Sequence, residues 1–172
     1  MSAIVSRLLM CWLADVLTRS PTIALMVKIG VKKLSVAAQL PRYAHAGEFG
    51  DLAADVYASE PVTLAAVGEP GSTAAVPTGI AMEFPSTHGA LVEDRSGLAV
   101  RGLTTLAGVI DPGYRGELRV VMTNLTPAPV EIRVGDRIAQ LRIVQRIEAA
   151  FEEVEEHGVT ARGAGGFGST GS

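Results

Sequence analysis

Short stretches of alternating apolar and polar residues, separated by glycine and proline clusters, run along most of this 172-residue chain. In residues 117–125, Leu118, Val120 and Met122 fall on one face, and the residues between them fall on the other. Such alternation is typical of half-buried β-strands, and no segment keeps a helical period over several turns. The pattern therefore predicts an all-β sandwich or barrel, at a length that suits one domain with a substantial core.

The strands can be placed approximately from this alternation and from the turn residues between them. Thr126-Pro127-Ala128-Pro129 and Gly135-Asp136 are the clearest breaks. A turn or two of helix is predicted within residues 100–106. The predicted strands are 27–32, 62–64, 74–76, 79–84, 117–125, 130–134 and 138–144.

Composition excludes several classes of function. A net charge of −3 and a pI near 5.6 give no basic surface for nucleic acid. The single cysteine, Cys11, cannot form an internal disulfide, and His45, His88 and His157 lie far apart, without zinc-ligand spacing. We therefore predict no nucleic-acid partner and expect a cytoplasmic protein.

The first 25 residues do not match the rest of the chain. They are apolar, but Arg7, Asp15, Arg19 and Pro21 interrupt them, so no run reaches the ~18–20 residues of a membrane helix. They also lack a clear signal-peptide cleavage site. We predict no membrane partner and interpret residues 1–27 as either an amphipathic extension or the product of a misassigned start codon.

Two segments carry the residues for chemistry. Within residues 108–117, Asp111 and Tyr114 share one tight turn between apolar strands, where a carboxylate can accept a proton from water. The simpler interpretation is a turn aspartate that bonds its own backbone. Residues 162–172 contain five glycines, one cation, one aromatic and several hydroxyls, which predicts a flexible arm that closes over a phosphorylated, planar ligand.

These two segments, together with Asp94-Arg95-Ser96-Gly97-Leu98-Ala99 and Gly135-Asp136-Arg137-Ile138-Ala139-Gln140-Leu141, resemble the motif series of the trimeric dUTPase family, the dUTP diphosphatases. The resemblance covers residues 28–172. It implies a jelly-roll-like β-sandwich or barrel over residues 28–161 and an active-site arm at 162–172. It also implies a homotrimer with shared active sites that hydrolyses dUTP to dUMP and pyrophosphate with Mg²⁺.

The resemblance assigns roles to individual residues. Asp111 matches the family's general base, which directs water at the α-phosphorus, and Tyr114 matches the ring that stacks under the deoxyribose and rejects a 2′-hydroxyl. Asp55, in the weakest of the motif matches, holds Mg²⁺ through water. The remaining positions contact uracil (Thr105, Val109, Ile110 and Arg119) or the phosphates (Arg95, Ser96, Gly97 and Gln140). The arm contributes Arg162, Phe167, Gly168, Ser169 and Thr170, which cover the base and reach the γ-phosphate.

Three departures from the family pattern bear on the site. Thr105 stands where the family has asparagine, Ala53 replaces a glycine, and Asp94 replaces a proline. A carboxylate at position 94 would repel a triphosphate unless it faces away or joins the metal's outer shell.

Two other interpretations remain at this point. The dCTP deaminases share the fold and a similar turn, but their catalytic glutamate lies ten residues beyond the aspartate, where this chain has Val121. A non-catalytic nucleotide-binding homologue is the second alternative, and retention of Asp111, Arg95 and Arg162 argues against it.

Overall fold

The computed structural model describes residues 26–161, 163 and 164. Within them the chain forms short strands and one helix of four residues. The strands are β1 (Gly30–Lys33), β2 (Ala54–Tyr57), β3 (Val62–Leu64), β4 (Thr73–Glu83), β5 (His88–Glu93), β6 (Leu103–Leu106), β7 (Val109–Ile110), β8 (Glu117–Asn124), β9 (Val130–Ile132) and β10 (Arg137–Gln145), and the helix is α1 (Ser96–Ala99).

Two four-stranded antiparallel sheets make up the domain. The first has the order β1-β4-β8-β6 and the second β2-β10-β5-β7, while β3 and β9 form a separate pair. The many non-consecutive neighbours mean that the chain crosses repeatedly between the sheets. This arrangement confirms the predicted all-β, jelly-roll-like sandwich.

The core is built from alternate residues of the strands, as the sequence pattern requires. In β8, Leu118, Val120 and Met122 are almost completely buried, while Arg119 between them is exposed. Residues such as Leu141 of the second sheet are equally buried and belong to the same apolar cluster. Burial of each such side chain contributes about 1.5–3 kcal/mol, so this cluster holds the two sheets together.

The helix prediction was wrong in position. Residues 103–106 form strand β6, and the helical turn lies earlier, at Ser96–Ala99. Gly102, with φ +80°, ends the helical segment, and the β-branched Thr104 and Thr105 that follow favour a strand.

The strand predictions also needed correction. The two segments predicted at 74–76 and 79–84 are one strand, β4, whose pairing with β8 is irregular between Pro77 and Ala81. Proline cannot donate to the ladder, and Gly79 has φ +66°, so the strand stays continuous through a bulge. The first strand begins at Gly30 rather than at residue 27. Strands β2, β5 and β6 were not predicted, and β7 was expected only as a strand without assigned bounds before the Asp111 turn.

The chain between β5 and β7 carries four of the predicted site residues, Arg95, Ser96, Gly97 and Thr105. It leaves the second sheet after Glu93, forms α1, joins the first sheet as β6, and returns to the second sheet through Ala107 and Gly108. We call residues 94–105, which include α1 and the first three residues of β6, the 94–105 loop. It carries Arg95, Ser96 and Gly97, and β7 then leads directly into Asp111.

Candidate active site

Asp111 lies on an exposed turn between β7 and β8. The backbone N–H of Tyr114 donates to the carbonyl of Asp111 (3.1 Å), which closes a four-residue turn. The Tyr114 hydroxyl donates to the carbonyl of Glu117 (3.0 Å) and fixes the ring on the same hairpin. Among the described residues, no group donates a hydrogen bond to the Asp111 carboxylate, so its oxygens face solvent and can accept a proton.

Two glycines determine the shape of this hairpin. A Cβ on Gly116 would lie 2.4 Å from the Tyr114 hydroxyl oxygen, so the ring can lie against this position only when it is glycine. Gly108 has φ +136°, and a Cβ there would lie 2.7 Å from the carbonyl oxygen of Val92. The preceding Ala107 also has a positive φ, 60°, which is unusual for a residue other than glycine. The backbone conformation at Ala107 and Gly108 therefore sets the direction of β7 and, through it, the position of Asp111.

The hairpin residues share one small cleft of about 200 Å³. Tyr114 is about half exposed within it, with a relative accessibility of 47%. Glu117, which sequence reasoning did not single out, also lines the cleft and accepts a hydrogen bond from the Gly79 amide (2.9 Å). The cleft thus brings together the predicted catalytic residue and most of the predicted base-binding residues. Its lining residues are Val109, Ile110, Asp111, Tyr114, Glu117 and Arg119.

A second cluster centres on Asp55, which is 5% exposed. Arg95 Nε donates to its Oδ1 (2.9 Å) and Arg137 Nη1 donates to its Oδ2 (3.1 Å). Arg95 Nη1 also donates to the backbone carbonyl of Arg137 (3.3 Å). One buried carboxylate and two guanidinium groups leave a net charge of about +1, which suits an anionic ligand such as a phosphate.

The register of the second sheet places Gln140 beside this cluster. Gln140 of β10 is directly opposite Asp55 of β2 and Glu93 of β5. Its half-buried amide therefore lies beside Asp55, where it adds a donor without adding charge.

Ser96 and Gly97 form the start of α1, next to Arg95. Both are exposed, and a Cβ on Gly97 would meet no atom within 4 Å. A cleft of about 440 Å³ lies between this loop and the turn before β10. Its charged lining residues are four arginines, Arg95, Arg101, Arg133 and Arg137, and two carboxylates, Glu131 and Asp136. Arg133 is paired with Glu131 (3.1 Å), so the cleft keeps an excess of positive charge for a phosphorylated ligand.

Asp94 faces β6 and is held by three hydrogen bonds. Its Oδ1 accepts from the backbone N–H of Thr105 (2.5 Å) and from the Thr105 hydroxyl (2.7 Å), and its Oδ2 accepts from the Thr104 hydroxyl (2.7 Å). Desolvation alone would raise the pKa of Asp94, but these hydrogen bonds outweigh it and hold the pKa below the usual value of 3.8. The carboxylate thus faces β6, and Thr105 is bonded to it.

The two clusters lie at opposite corners of the second sheet. Across the sheet, Asp55 is opposite Gln140, and Gln140 is opposite Glu93 of β5. Ile110, the residue before Asp111, is opposite Ala90 of the same strand, so Asp111 is level with Gly89. Three strand spacings across the sheet and four residues along it separate Asp55 from Asp111. This corresponds to a Cα distance on the order of 20 Å, so one subunit does not bring its own Asp111 to its own Arg95.

Sequence reasoning missed Arg137, which donates to the same Asp55 carboxylate as Arg95. The signal was present, because Arg137 stands in the Gly135-to-Leu141 motif, but its contact with Asp55 joins positions 82 residues apart. The predicted arm residues Arg162, Phe167, Gly168, Ser169 and Thr170 lie outside the described residues.

Comparison with known proteins establishes the family of this chain. A family profile described as dUTPase matches residues 41–171. The chain belongs to the dUTPase family. It is 50% identical over 150 residues to the deoxyuridine 5′-triphosphate nucleotidohydrolase of Thermobifida fusca (strain YX), covering 84% of this chain and 79% of the relative. It is 48% identical over 136 residues to the enzyme of the same name from Anaeromyxobacter sp. (strain Fw109-5), covering 77% and 88%.

Solved dUTPase structures share the fold. The dUTPase of Staphylococcus bacteriophage 80alpha with dUpNHpp superimposes with a TM-score of 0.72 at 29% identity, covering 84% of this chain and 99% of the phage protein. A mutant dUTPase of phage phi11 of S. aureus, which coordinates a structural Mg(II) ion, gives a TM-score of 0.63 at 25% identity, covering 76% and 98%. In the part of this dUTPase chain that the structure describes, no helix is long and apolar enough to cross a membrane.

Proposed function

We propose that this chain is a dUTP diphosphatase, which hydrolyses dUTP to dUMP and pyrophosphate with Asp111 as the general base. The main observation behind this proposal is the exposed Asp111 carboxylate, which lies on a hydrogen-bonded turn in the same cleft as Tyr114. The proposal draws further support from relatives that are named deoxyuridine 5′-triphosphate nucleotidohydrolases.

In the proposed reaction, Asp111 accepts a proton from a water molecule as the water oxygen attacks the α-phosphorus. The bond from the α-phosphorus to the bridging oxygen breaks, and pyrophosphate leaves with the bonding electrons. The proton on Asp111 then passes to solvent. General-base assistance of this kind contributes about 10²–10⁴-fold to the rate.

Arg95 and Arg137 would stabilise the negative charge that develops on the phosphates. Asp55 supports this role because each of its oxygens accepts from one guanidinium group, which orients both arginines before substrate binds. Preorganised cations stabilise a transition state without the cost of reorganising at the moment of reaction. The open surface over Ser96 and Gly97 leaves room for phosphate oxygens to approach the backbone.

Selection of the base and sugar is assigned to the hairpin cleft. Its backbone groups at Val109, Ile110 and Arg119 would read the uracil edge, and Tyr114 would lie under the deoxyribose. Since the Tyr114 hydroxyl is fixed to the Glu117 carbonyl, the ring cannot easily move to admit a 2′-hydroxyl. A steric barrier of this kind discriminates against UTP.

The donor set fits a magnesium ion that arrives on the substrate. Among the described residues, no three His, Cys, Asp or Glu side chains cluster in a way that could hold a metal. Gln140 offers an amide for contact with metal-bound water, which suits Mg²⁺ because the ion keeps several waters and takes substrate phosphates as ligands. Both oxygens of the buried Asp55 already accept from Arg95 and Arg137, so Asp55 would contribute only through their remaining lone pairs. When bound, Mg²⁺ would neutralise part of the triphosphate charge.

The distance between the two clusters supports active sites shared between subunits, which we propose are those of a homotrimer. A general base must lie within hydrogen-bond reach of the attacking water, and about 20 Å within one subunit is far too long. A neighbouring subunit that brings its Asp111 hairpin to the arginine cluster would complete the site. The chain after β10 supports such assembly, since Ile147 and Phe151 are 86% and 98% exposed within the single subunit.

The deciding experiment measures pyrophosphate and ammonia release from dUTP, dCTP, dTTP and UTP with Mg²⁺. Pyrophosphate from dUTP, with little from the other three, supports the proposal. Ammonia from dCTP would favour the deaminase alternative instead, although Val121 offers no group to transfer protons. Nucleotide binding without turnover of any of the four would indicate a non-catalytic homologue.

A further inference from the structure

Asp94 joins the two sheets at the point where the 94–105 loop begins. It directly follows β5, a strand of the second sheet, and its three hydrogen bonds go to Thr104 and Thr105 of β6, the edge strand of the first sheet. One of these bonds satisfies a backbone N–H at that sheet edge. The two ends of the loop are therefore tied to each other through a single carboxylate.

The tied loop carries the residues assigned to the phosphates. Inside it, the Val100 amide donates to the Ser96 carbonyl, and Arg101 Nε donates to the Gly97 carbonyl. These contacts shape the loop internally but do not fix it relative to the sheets. The loop is fixed to the sheets by the buried Leu98, by the bonds of Arg95 to Asp55 and to the Arg137 carbonyl, and by the Asp94 carboxylate. Its last residues are also held by the Leu125 amide, which donates to the Gly102 carbonyl, and by the pairing of β6 with β8.

Asp94 and Thr105 are both positions at which the chain departs from the family pattern, and they bond each other. A proline at position 94 would restrict the backbone before the arginine through its ring. This chain restricts the same point through hydrogen bonds to a charged acceptor, which are among the stronger hydrogen bonds of proteins.

We propose that Asp94 is a positioning residue for dUTP hydrolysis, which acts through Thr104 and Thr105 to hold Arg95, Ser96 and Gly97 in place for the phosphates. The proposal rests on the proposed function. It also changes the role of Thr105. Because the Thr105 hydroxyl donates its hydrogen bond to Asp94, this residue supports the phosphate-binding end of the site rather than contacting uracil.

Asp94→Ala tests the proposal. It removes all three bonds but no group that would touch substrate, and misplacement of a positioning element by about 1 Å costs on the order of 100-fold in rate. We expect kcat for dUTP to fall by about 10- to 100-fold and dUpNHpp to bind more weakly. Competitive inhibition by deoxyuridine, which has base and sugar but no phosphate, should stay unchanged.

Two further variants separate positioning from stability. Asp94→Asn keeps an acceptor for the Thr105 amide and should recover much of the lost kcat. The double variant Asp94→Ala with Thr105→Val should lose little more than Asp94→Ala alone, because both changes break the same link. Asp51→Ala is the matched control, since Asp51 also ties a surface loop through a backbone N–H, that of His45, and should keep the wild-type kcat.

The outcomes distinguish this proposal from the proposed function. Wild-type protein that releases no pyrophosphate from dUTP overturns both. Active wild type with unchanged kcat and KM in Asp94→Ala overturns the positioning role alone, whether or not the melting temperature falls. If Asp94→Ala does not fold, the double variant Thr104→Val with Thr105→Val carries the test, because it removes two of the three bonds to Asp94. Lower kcat with unchanged deoxyuridine inhibition supports the proposal, and unchanged kcat or weaker deoxyuridine inhibition overturns it.

Discussion

Asp55 and Asp111 lie at diagonally opposite corners of one four-stranded sheet, with β10 and β5 between their strands. One carboxylate is buried and holds two arginines, and the other is exposed and receives no hydrogen bond from the described residues. The same acidic group therefore has two different environments in this fold, which suit it to two different roles. A paired, buried carboxylate organises cations, whereas an unpaired, exposed one is free to accept a proton.

Asp111→Asn should abolish most of the activity without affecting the fold. The amide has nearly the same shape but accepts a proton far less readily, so kcat for dUTP should fall by about 10²–10⁴-fold. Because the carboxylate makes no hydrogen bond among the described residues, the melting temperature should stay near that of wild type. Pyrophosphate release and thermal unfolding measure the two effects. A variant with half the wild-type activity would show that Asp111 is not the base.

Gly108→Ala should destabilise the protein. A Cβ at this position meets the Val92 carbonyl oxygen at 2.7 Å, and φ +136° is unfavourable for alanine, so we expect a loss of about 1–3 kcal/mol. Gly113→Ala is the matched control, because Gly113 has no such φ and an added Cβ meets nothing within 4 Å. Thermal unfolding of both variants checks the prediction, and equal melting temperatures would contradict it.

The contribution of Asp94 to stability should depend on pH. Its pKa is lower in the folded protein than the usual 3.8, since the hydrogen bonds from Thr104 and Thr105 outweigh the desolvation that opposes ionisation. Such a group stabilises the fold above its unfolded pKa, and the contribution disappears as pH falls through the lowered folded pKa. The difference in melting temperature between wild type and Asp94→Ala should therefore be full at neutral pH and shrink below about pH 4. A difference that stays constant to lower pH would mean that the charge contributes nothing.

The fold was predictable wherever one face of a strand is buried and the other is not. In β8 the alternation of Leu118, Val120 and Met122 fixed both the strand and its buried face. Strand β5 was missed because Gly89 and Ala90 are both buried, which removes the alternation. Strand β7 has only two residues and no period of its own, and its conformation depends on the backbone turn at Gly108.

The candidate site was predictable in its residues but less so in its geometry. The motif order identified Asp111, Tyr114 and Arg95 from local sequence. The link between Asp55 and Arg137 depends on the register of β2 against β10, and that register follows from the packing of the whole sheet. The orientation of Asp94 likewise depends on β6, a strand that sequence reasoning had predicted as helix.

The proposed sharing of active sites between subunits leads to the sharpest prediction, which uses two inactive variants. Asp111→Asn disables the base and keeps Arg95, while Arg95→Gln weakens the phosphate cluster, keeps Asp111 and leaves a donor for Asp55. Each variant alone should form inactive trimers. When the two are mixed at equal concentrations and allowed to exchange subunits, some sites combine Asp111 from one subunit with Arg95 from another. Random assembly makes about one quarter of the sites intact, so about a quarter of the wild-type activity should return.

Two controls make this result interpretable. Mixed trimers must be demonstrated directly, for example by mass spectrometry of subunits that carry distinguishable tags, because slow exchange would also give no recovery. Mixing Asp111→Asn with Asp111→Asn that carries the second tag should give no activity at any time. If exchange is complete and the Asp111→Asn and Arg95→Gln mixture stays inactive, no site combines Asp111 of one subunit with Arg95 of another. Because the two residues lie about 20 Å apart within one subunit, a single subunit cannot supply both, so the roles assigned to them would have to be abandoned.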